Sequence, residues 1–462
     1  MARVSGRVLL AAVAVAAAAT LTATGGCAAS AAARATVATP VPALAHAPRV
    51  SFATPPTTAA CEKAYQIACY SPLQLEAAYN LRPLYRRGIV GAGTTIAIVD
   101  SFGDPQAAAD LAVFDKAYGL PAPPSLRIIT PAGKLPPFDP TNADMSGWAS
   151  ETDLDVQYAH AMAPGANILI VATPVSETEG VAGFPQIVRA EKYVIAHHLA
   201  DVISQSFSAT EQTFPSRASI LGLRSAFIAA DAAGVSVLAA SGDAGATDYT
   251  VANTYYLHRV TSWPDSDPLV TGVGGLQYFL TASGAQTQAP AVWNDDATIG
   301  GPSAGGGGLS VVFSRPWYQD SVKRVVGSVR GVPDISLSAA VNGGAISYQG
   351  PDANNGQPGA FQVIGGTSEA TPSFAGVVAL ADQLAGRPLG LLNPALYRME
   401  AAHAKGLVDV TDGTNTVTFT QAGAAHTVLG FDATVGYDLA SGVGGINGAY
   451  FVPELVAAAT PH

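Results

Sequence analysis

Short apolar runs rich in β-branched residues alternate along this chain with longer, Ala-rich segments of helical spacing, and this alternation most constrains its fold. The runs are "TTIAIVD" (94–100), "ANILIVAT" (166–173), "ADVISQSF" (200–207) and "GVSVLAAS" (234–241). Between them, "EGVAGFPQIVRAEKYVIAHH" (179–198) and "SRASILGLRSAFIAADAA" (216–233) read as helices. Strands apolar on both faces must be covered on both, which predicts an α/β fold: a parallel sheet flanked by helices on either side. Ligands of such sheets bind beyond the carboxyl ends of the strands. The residues that follow the runs are therefore the first candidates: Asp100, Thr173, Ser206 and the turn Ser241-Gly242-Asp243.

The N-terminus has a different character. Arg3 and Arg7 precede an Ala-rich apolar stretch from Val8 to Leu21, and small residues follow, so 1–27 reads as an export signal too short to span a membrane. Cys27 ends "TGGC", which resembles a bacterial lipoprotein cleavage site with Thr24 where an aliphatic residue is usual; a lipid anchor at Cys27 and free secretion both stay open. Residues 28–60 are Ala, Thr, Pro and Ser with few large apolar side chains, which predicts a linker ahead of one large domain over 61–458. Cys61 and Cys69 can close a small loop in an oxidising compartment, the alternative being two buried free thiols.

Charge excludes some functions. With 34 acidic and 23 basic residues the net charge is −11 and no basic stripe is visible, so a nucleic-acid surface is not expected. Charged residues are only 12 % of the chain, which leaves few carboxylate–ammonium pairs to lose in acid. The glycine run "GGPSAGGGGLS" (300–310) lacks the Lys-Ser/Thr that would follow a phosphate cradle, so 250–365 reads as close-packed β structure and turns. Nothing calls for an obligate assembly, and a monomer is expected.

Ser368, in "VIGGTSEATPSFAGVVALADQ" (363–383), stands where a small-residue turn meets an apolar helix. Free N–H groups and the positive end of the helix dipole favour an alkoxide or oxyanion there, although Ser is also the commonest helix cap. Gly365 and Gly366 keep side chains away from the hydroxyl, and Pro372 fits a first helical turn. "GTS" with Pro four residues on is the nucleophile pattern of the subtilisin clan. None of the eight histidines sits in a His-Gly-Thr setting. A carboxylate pair is the better base: Glu151 and Asp155 in "SETDLDVQYAHAMAPGANILI" (150–170) share one helical face, while Asp153 points elsewhere. Two such carboxyls cannot both ionise freely, so one holds a proton the other accepts, and the pair can serve as general base in acid. The competing reading is a solvated acidic pair complementing the dipole in a first turn.

Eight stretches in order bring the chain close to a known family. They are "YSPLQLEAAYNL", "GTTIAIVDSFGDP", the Glu-x-x-x-Asp helix, "VLAASGD", "GGGGLSVVF", "RGVPDIS", "GGTSEATP" and "GYDLASGVG". The sequence resembles the sedolisin family of serine-carboxyl peptidases, acid-acting relatives of subtilisin. That resemblance implies a seven-stranded parallel sheet and an exported endopeptidase acting on proteins or peptides. It makes Ser368 the nucleophile, Glu151 the general base, Asp155 its proton-sharing partner and Asp243 a protonated oxyanion donor. Asp100 falls where subtilisins keep their Asp and, with no His to orient, is read as structural. The resemblance also implies one calcium ion on Asp409, Asp438 and the carbonyls of Val410, Thr434 and Gly436, residues otherwise read as turns.

Three features depart from the family. Only the segment 28–60 stands where these enzymes carry a large prodomain, so either the core folds unaided or this sequence starts late. Ala244 replaces a Ser after the oxyanion Asp, and "SQSFSAT" (204–210) lacks a Gly after its aromatic residue, changes that bear on subsite preference. The alternative is a catalytically silent relative acting as a surface-binding protein; a neutral optimum would instead favour a Ser-His-Asp esterase.

Overall fold

The computed structural model describes residues 45–459; the export-signal pattern, Cys27 and the first part of the linker segment lie outside the described residues. Seven strands form a parallel array: β1 (Thr95–Ser101), β2 (Leu126–Ile129), β3 (Asn167–Thr173), β4 (Val202–Gln205), β5 (Ser236–Ala240), β6 (Thr271–Gln277) and β7 (Ile335–Ser338). Their order is β2-β3-β1-β4-β5-β6-β7, with a two-residue antiparallel strand, Ala291–Val292, added on β6. The expected parallel sheet is thus present.

Alternation along each strand feeds two cores. Ile96, Ile98, Ile168 and Ile170 face one core with Leu111, Phe114, Leu154 and Phe374. Their neighbours Ala97, Val99, Leu169 and Val171 face the other with Phe184, Ile187, Val194 and Phe227. The first layer of helices is α1 (Ala107–Tyr118), α2 (Ala143–Met162) and α6 (Thr367–Ala385); the second includes α3 (Phe184–Ala196), α4 (Arg217–Leu223) and α5 (Ser225–Ala233). No helix among the described residues is long and apolar enough to cross a membrane.

Three local readings are corrected. The helix expected over 216–233 is two, α4 and α5, because Gly222 weakens the last turn of α4 and the Arg224 side chain is drawn onto Asp267 at 2.6 and 2.9 Å. Residues 179–183 are loop, and α3 starts only at Phe184, after Gly183 at φ +89° and with Pro185 in its first turn. The segment read as a linker already carries structure in its second half. Ala45–Phe52 pairs antiparallel with Ala360–Gly365, and a helix capped by Thr57 begins at Thr58. An edge strand gains its stability from backbone hydrogen bonds, which a composition poor in large apolar residues does not reveal. Cys61 and Cys69 are joined by a disulfide that ties this helix to a short strand, Cys69–Tyr70, paired with Gly344 and Ala345.

Candidate active site

The site is built at the carboxyl end of the sheet from the loops after β1, β3, β4 and β5 and from helices α2 and α6. On α2, Asn142 caps the N-terminus by accepting from the N–H groups of Asp144 and Met145. Glu151 and Asp155 lie two turns or more beyond that cap, fully buried, so they are not the dipole complement of a solvated first turn. Ser368 is the second residue of α6 and 6 % exposed. Pro372 is in the interior of α6 rather than its first turn. Its missing N–H leaves the Ser368 carbonyl without its helical donor, and the Ser206 hydroxyl approaches that carbonyl at 3.5 Å.

The carboxyls converge on this point. The Ser206 hydroxyl also donates to Asp155 Oδ1 at 2.8 Å. The Ser368 hydroxyl is beside Glu151 and favours its charged form, while neither Glu151 oxygen is held in a hydrogen bond of good geometry. Asp100, read from sequence as structural only, is buried beside both and accepts from Thr152 Oγ1 at 2.9 Å, so the cluster has three carboxyls. Its position at the end of β1 was the signal available.

Across the cavity, Asp243 follows β5. The Thr367 N–H and hydroxyl both donate to its Oδ1 at 2.7 Å. Gly366 has φ +124°, and a Cβ there would stand 2.5 Å from Asp243 Oδ2, so only glycine lets that carboxyl approach the head of α6. The glycine run has a similar duty. A Cβ on Gly306 would come within 2.0 Å of the Ser241 carbonyl, and Gly306 N–H donates to Gly242 O at 2.7 Å, fixing the turn that carries Asp243.

Burial dominates the electrostatics. It holds Glu151 and Asp155 well above the usual carboxylate range, with repulsion from Asp100 adding to both. Burial likewise raises Asp100 to about 7, opposed by the Thr152 hydrogen bond, and Asp243 to about 7, opposed by the Thr367 donors. The cavity beside Ser368, about 630 Å³ with its mouth, is also lined by Trp148, Phe207, Tyr249 and three carboxyls the sequence reading missed, Glu177, Glu179 and Asp248. No histidine lines it; His160 instead lies 2.8 Å from the Pro121 carbonyl.

Two other acidic sets are distinct from this one. Asp104, Asp110 and Asp153 bring carboxylate oxygens within 4.8 Å of one another on the far side of α2, an arrangement able to ligate a cation. Burial raises all three, and repulsion from Asp104 adds to the rise of Asp110 and Asp153. The loops read as a calcium site also meet. Gly436 N–H donates to both Asp409 oxygens at 3.1 and 3.3 Å, and Thr434 N–H donates to Asp438 Oδ2 at 2.8 Å. Glu400 adds a third carboxyl beside Gly436 and Asp409. Two to three neighbouring carboxyls are donors of the kind a hard cation takes.

A serine at a helix head, facing carboxyls at the open end of a parallel sheet, is the frame of the subtilisin-like clan, and the model described as "Subtilase family" matches residues 143–423. Kumamolisin of Bacillus sp. (strain MN-32) is 32 % identical over 403 residues, covering 85 % of this chain and 64 % of that protein. Sedolisin of Pseudomonas sp. (strain 101) is 30 % identical over 363 residues, covering 77 % and 57 %. The solved structure of Pseudomonas sedolisin, a serine-carboxyl proteinase complexed with two molecules of pseudo-iodotyrostatin, superposes with a TM-score of 0.69 at 27 % identity over 85 % of this chain and all of that one. Within the clan, the chain belongs to the sedolisin family. It spans less than two thirds of the length of the two curated relatives.

Proposed function

We propose that the protein is an exported, acid-acting serine-carboxyl endopeptidase. The observation that carries this reading is that the buried Glu151 and Asp155 stand behind Ser368, which lines one cavity together with Asp243 and no histidine. Glu151 takes the proton from Ser368 Oγ as that oxygen bonds to the substrate carbonyl carbon. Asp155 shares a proton with Glu151 and keeps it from being fully charged in its buried setting. Asp243, protonated, donates to the oxyanion; its Oδ1 is occupied by Thr367, so Oδ2 is the donor. Glu151 then returns the proton to the departing amine as the C–N bond breaks, and water repeats the cycle on the acyl-enzyme.

The upper edge of the pH range follows from the raised value of Asp243. Asp243 is neutral below about 7, so the oxyanion donor is present in acid and lost as pH rises through that value. Asp409 and Asp438, with the carbonyls of Val410, Thr434 and Gly436, would hold one calcium ion, which ties two loops together and takes no part in the chemistry. The low charge density supports acid work, and the N-terminal pattern supports export. Hydrolysis of a denatured protein by the full chain, followed from about pH 3 to about pH 8 with calcium present, tests the reading. Activity confined to acid and abolished in Ser368→Ala and Glu151→Ala is expected. Equal turnover by the variants, or a rate maximum at neutral pH, would overturn it.

A further inference from the structure

The cavity that opens on Ser368 has an acidic wall that the proposed chemistry leaves unused. Glu177, Glu179 and Asp248 line it, and no Lys, Arg or His does. Glu177 and Glu179 belong to the loop that leaves the carboxyl end of β3, and this loop is anchored. Glu177 N–H donates to Ser101 Oγ at 2.9 Å, and Trp148 Nε1 donates to Ser176 Oγ at 3.0 Å, which in turn donates to Asp144 Oδ1 at 2.9 Å. Asp248 stands five residues beyond Asp243 on the opposite loop.

The three carboxyls are not equally satisfied. Glu179 Oε2 accepts from Thr210 N–H at 2.9 Å, and Asp248 accepts from Tyr249 N–H and Ser262 Oγ, both at 2.8 Å. Glu177 is only 7 % exposed, and its Oε1 has no partner. Burial, with repulsion from Asp248, pushes Glu177 up to about 8, and the same causes, with Glu177 added, push Glu179 up to about 9. A buried polar atom left unmade is costly, so a carboxyl that lines an open cavity with one oxygen unpaired marks where a donor is wanted.

We propose that this wall is a specificity pocket for a basic side chain, Lys or Arg, carried by the substrate next to the scissile bond on its acyl side. The inference rests on the peptidase reading above. The cationic head meets the Glu177 carboxyl, one carboxyl proton leaves to solvent, and Glu179 and Asp248 offer further acceptors. The aliphatic stem lies along Trp148, Phe207 and Tyr249. An apolar guest leaves the Glu177 oxygen unpaired and drier than before, and an acidic guest adds one more carboxyl with no cation to answer it. Discrimination therefore comes from penalties on the wrong side chain as much as from attraction to the right one.

The test uses the full chain and a set of peptides that differ only in the first or second residue on the acyl side, with Arg, Gln, Leu or Glu in turn. At one of the two positions kcat/KM for Arg exceeds that for Gln and Leu by about tenfold or more, and Glu177→Gln and Glu179→Gln each move that ratio towards unity. Cleavage of the Arg and Leu peptides at equal rates, or a preference unmoved in both variants, overturns the pocket and leaves the peptidase reading standing. If no peptide is cleaved at any pH, the peptidase reading falls, and calorimetric titration of Ser368→Ala with the Arg and Leu peptides decides the pocket alone. Tighter binding of the Arg peptide that is lost in Ser368→Ala/Glu177→Gln supports it, and equal affinities overturn it.

Discussion

Helix α2 presents an acidic cluster on each of two faces, and the two resemble each other in almost every electrostatic respect. Towards the cavity, Glu151 and Asp155 join Asp100; on the other side, Asp153 joins Asp104 and Asp110. All six carboxyls are buried, and all are shifted upward by desolvation. What separates them is the company they keep. The first cluster adjoins the Ser206 and Ser368 hydroxyls and an open cavity. The second is closed over by backbone: a Cβ on Gly350 would stand 2.0 Å from Asp110 Oδ2, and Gly350 N–H reaches Asp153 at 3.4 Å. Clustered, perturbed carboxyls therefore do not identify a reaction centre. Neighbouring hydroxyls and an adjoining cavity are what set the first cluster apart.

The largest effects should fall on one side of this contrast. Ser368→Ala and Glu151→Gln are expected to lower kcat/KM by about a thousandfold or more, whereas Asp153→Asn changes it less than about threefold in initial-rate assays. Comparable losses in all three would mean that the sealed cluster also serves the chemistry. Next, Asp243→Ala should cost about a hundredfold to a thousandfold. Asp243→Asn, which carries a donor at every pH, should recover part of that and extend activity upward past about 7, a profile that separates an oxyanion donor from a packing residue.

A smaller effect should fall on stability. The folded values of Asp100, Asp104 and Asp110, about 7, 6 and 7, exceed those of the unfolded chain, so the folded form binds more protons. Stability is then full in acid and declines as pH climbs from about 4 towards 8, which thermal melts across that range would register as a falling Tm. Asp153→Asn should flatten the decline by on the order of a few °C, and a steeper one would show that the carboxyl, not its charge, holds the cluster. Least of all, removing calcium with a chelator should lower Tm by a few °C through the 409–410 and 434–438 loops, with an unchanged melt counting against an ion there.

The sheet was legible because strands buried on both sides have no polar face to hide, and Ile96 to Val99 read the same way in sequence and in space. Ser368 and Asp243, which follow turns, and Glu151 and Asp155, spaced four apart, could be named as candidates from the sequence, and the resemblance to the sedolisins joined them into one set. Asp100 was harder, since its meaning depends on neighbours brought in by α2 rather than by β1. Glu177, Glu179 and Asp248 were invisible for a similar reason. They stand on irregular loops where no period operates, and only the folded chain sets them around one cavity. The strand at Ala45–Phe52 was missed because pairing with Ala360–Gly365 asks little of its side chains.

The two-faced helix also limits how this chain can change in length. Each residue turns a helix by about 100°, so Asp153 is rotated by about 200° from Glu151, while Asp155 returns close to it. A single insertion or deletion between Asn142 and Glu151 would swing both acidic sets off their partners at once, and no adjustment in the loops outside could restore either. The loop between β3 and α3 is free of that coupling. Length variation among descendants of this sequence is therefore expected to gather in the segment 174–183, where it would alter the cavity wall, and to spare α2.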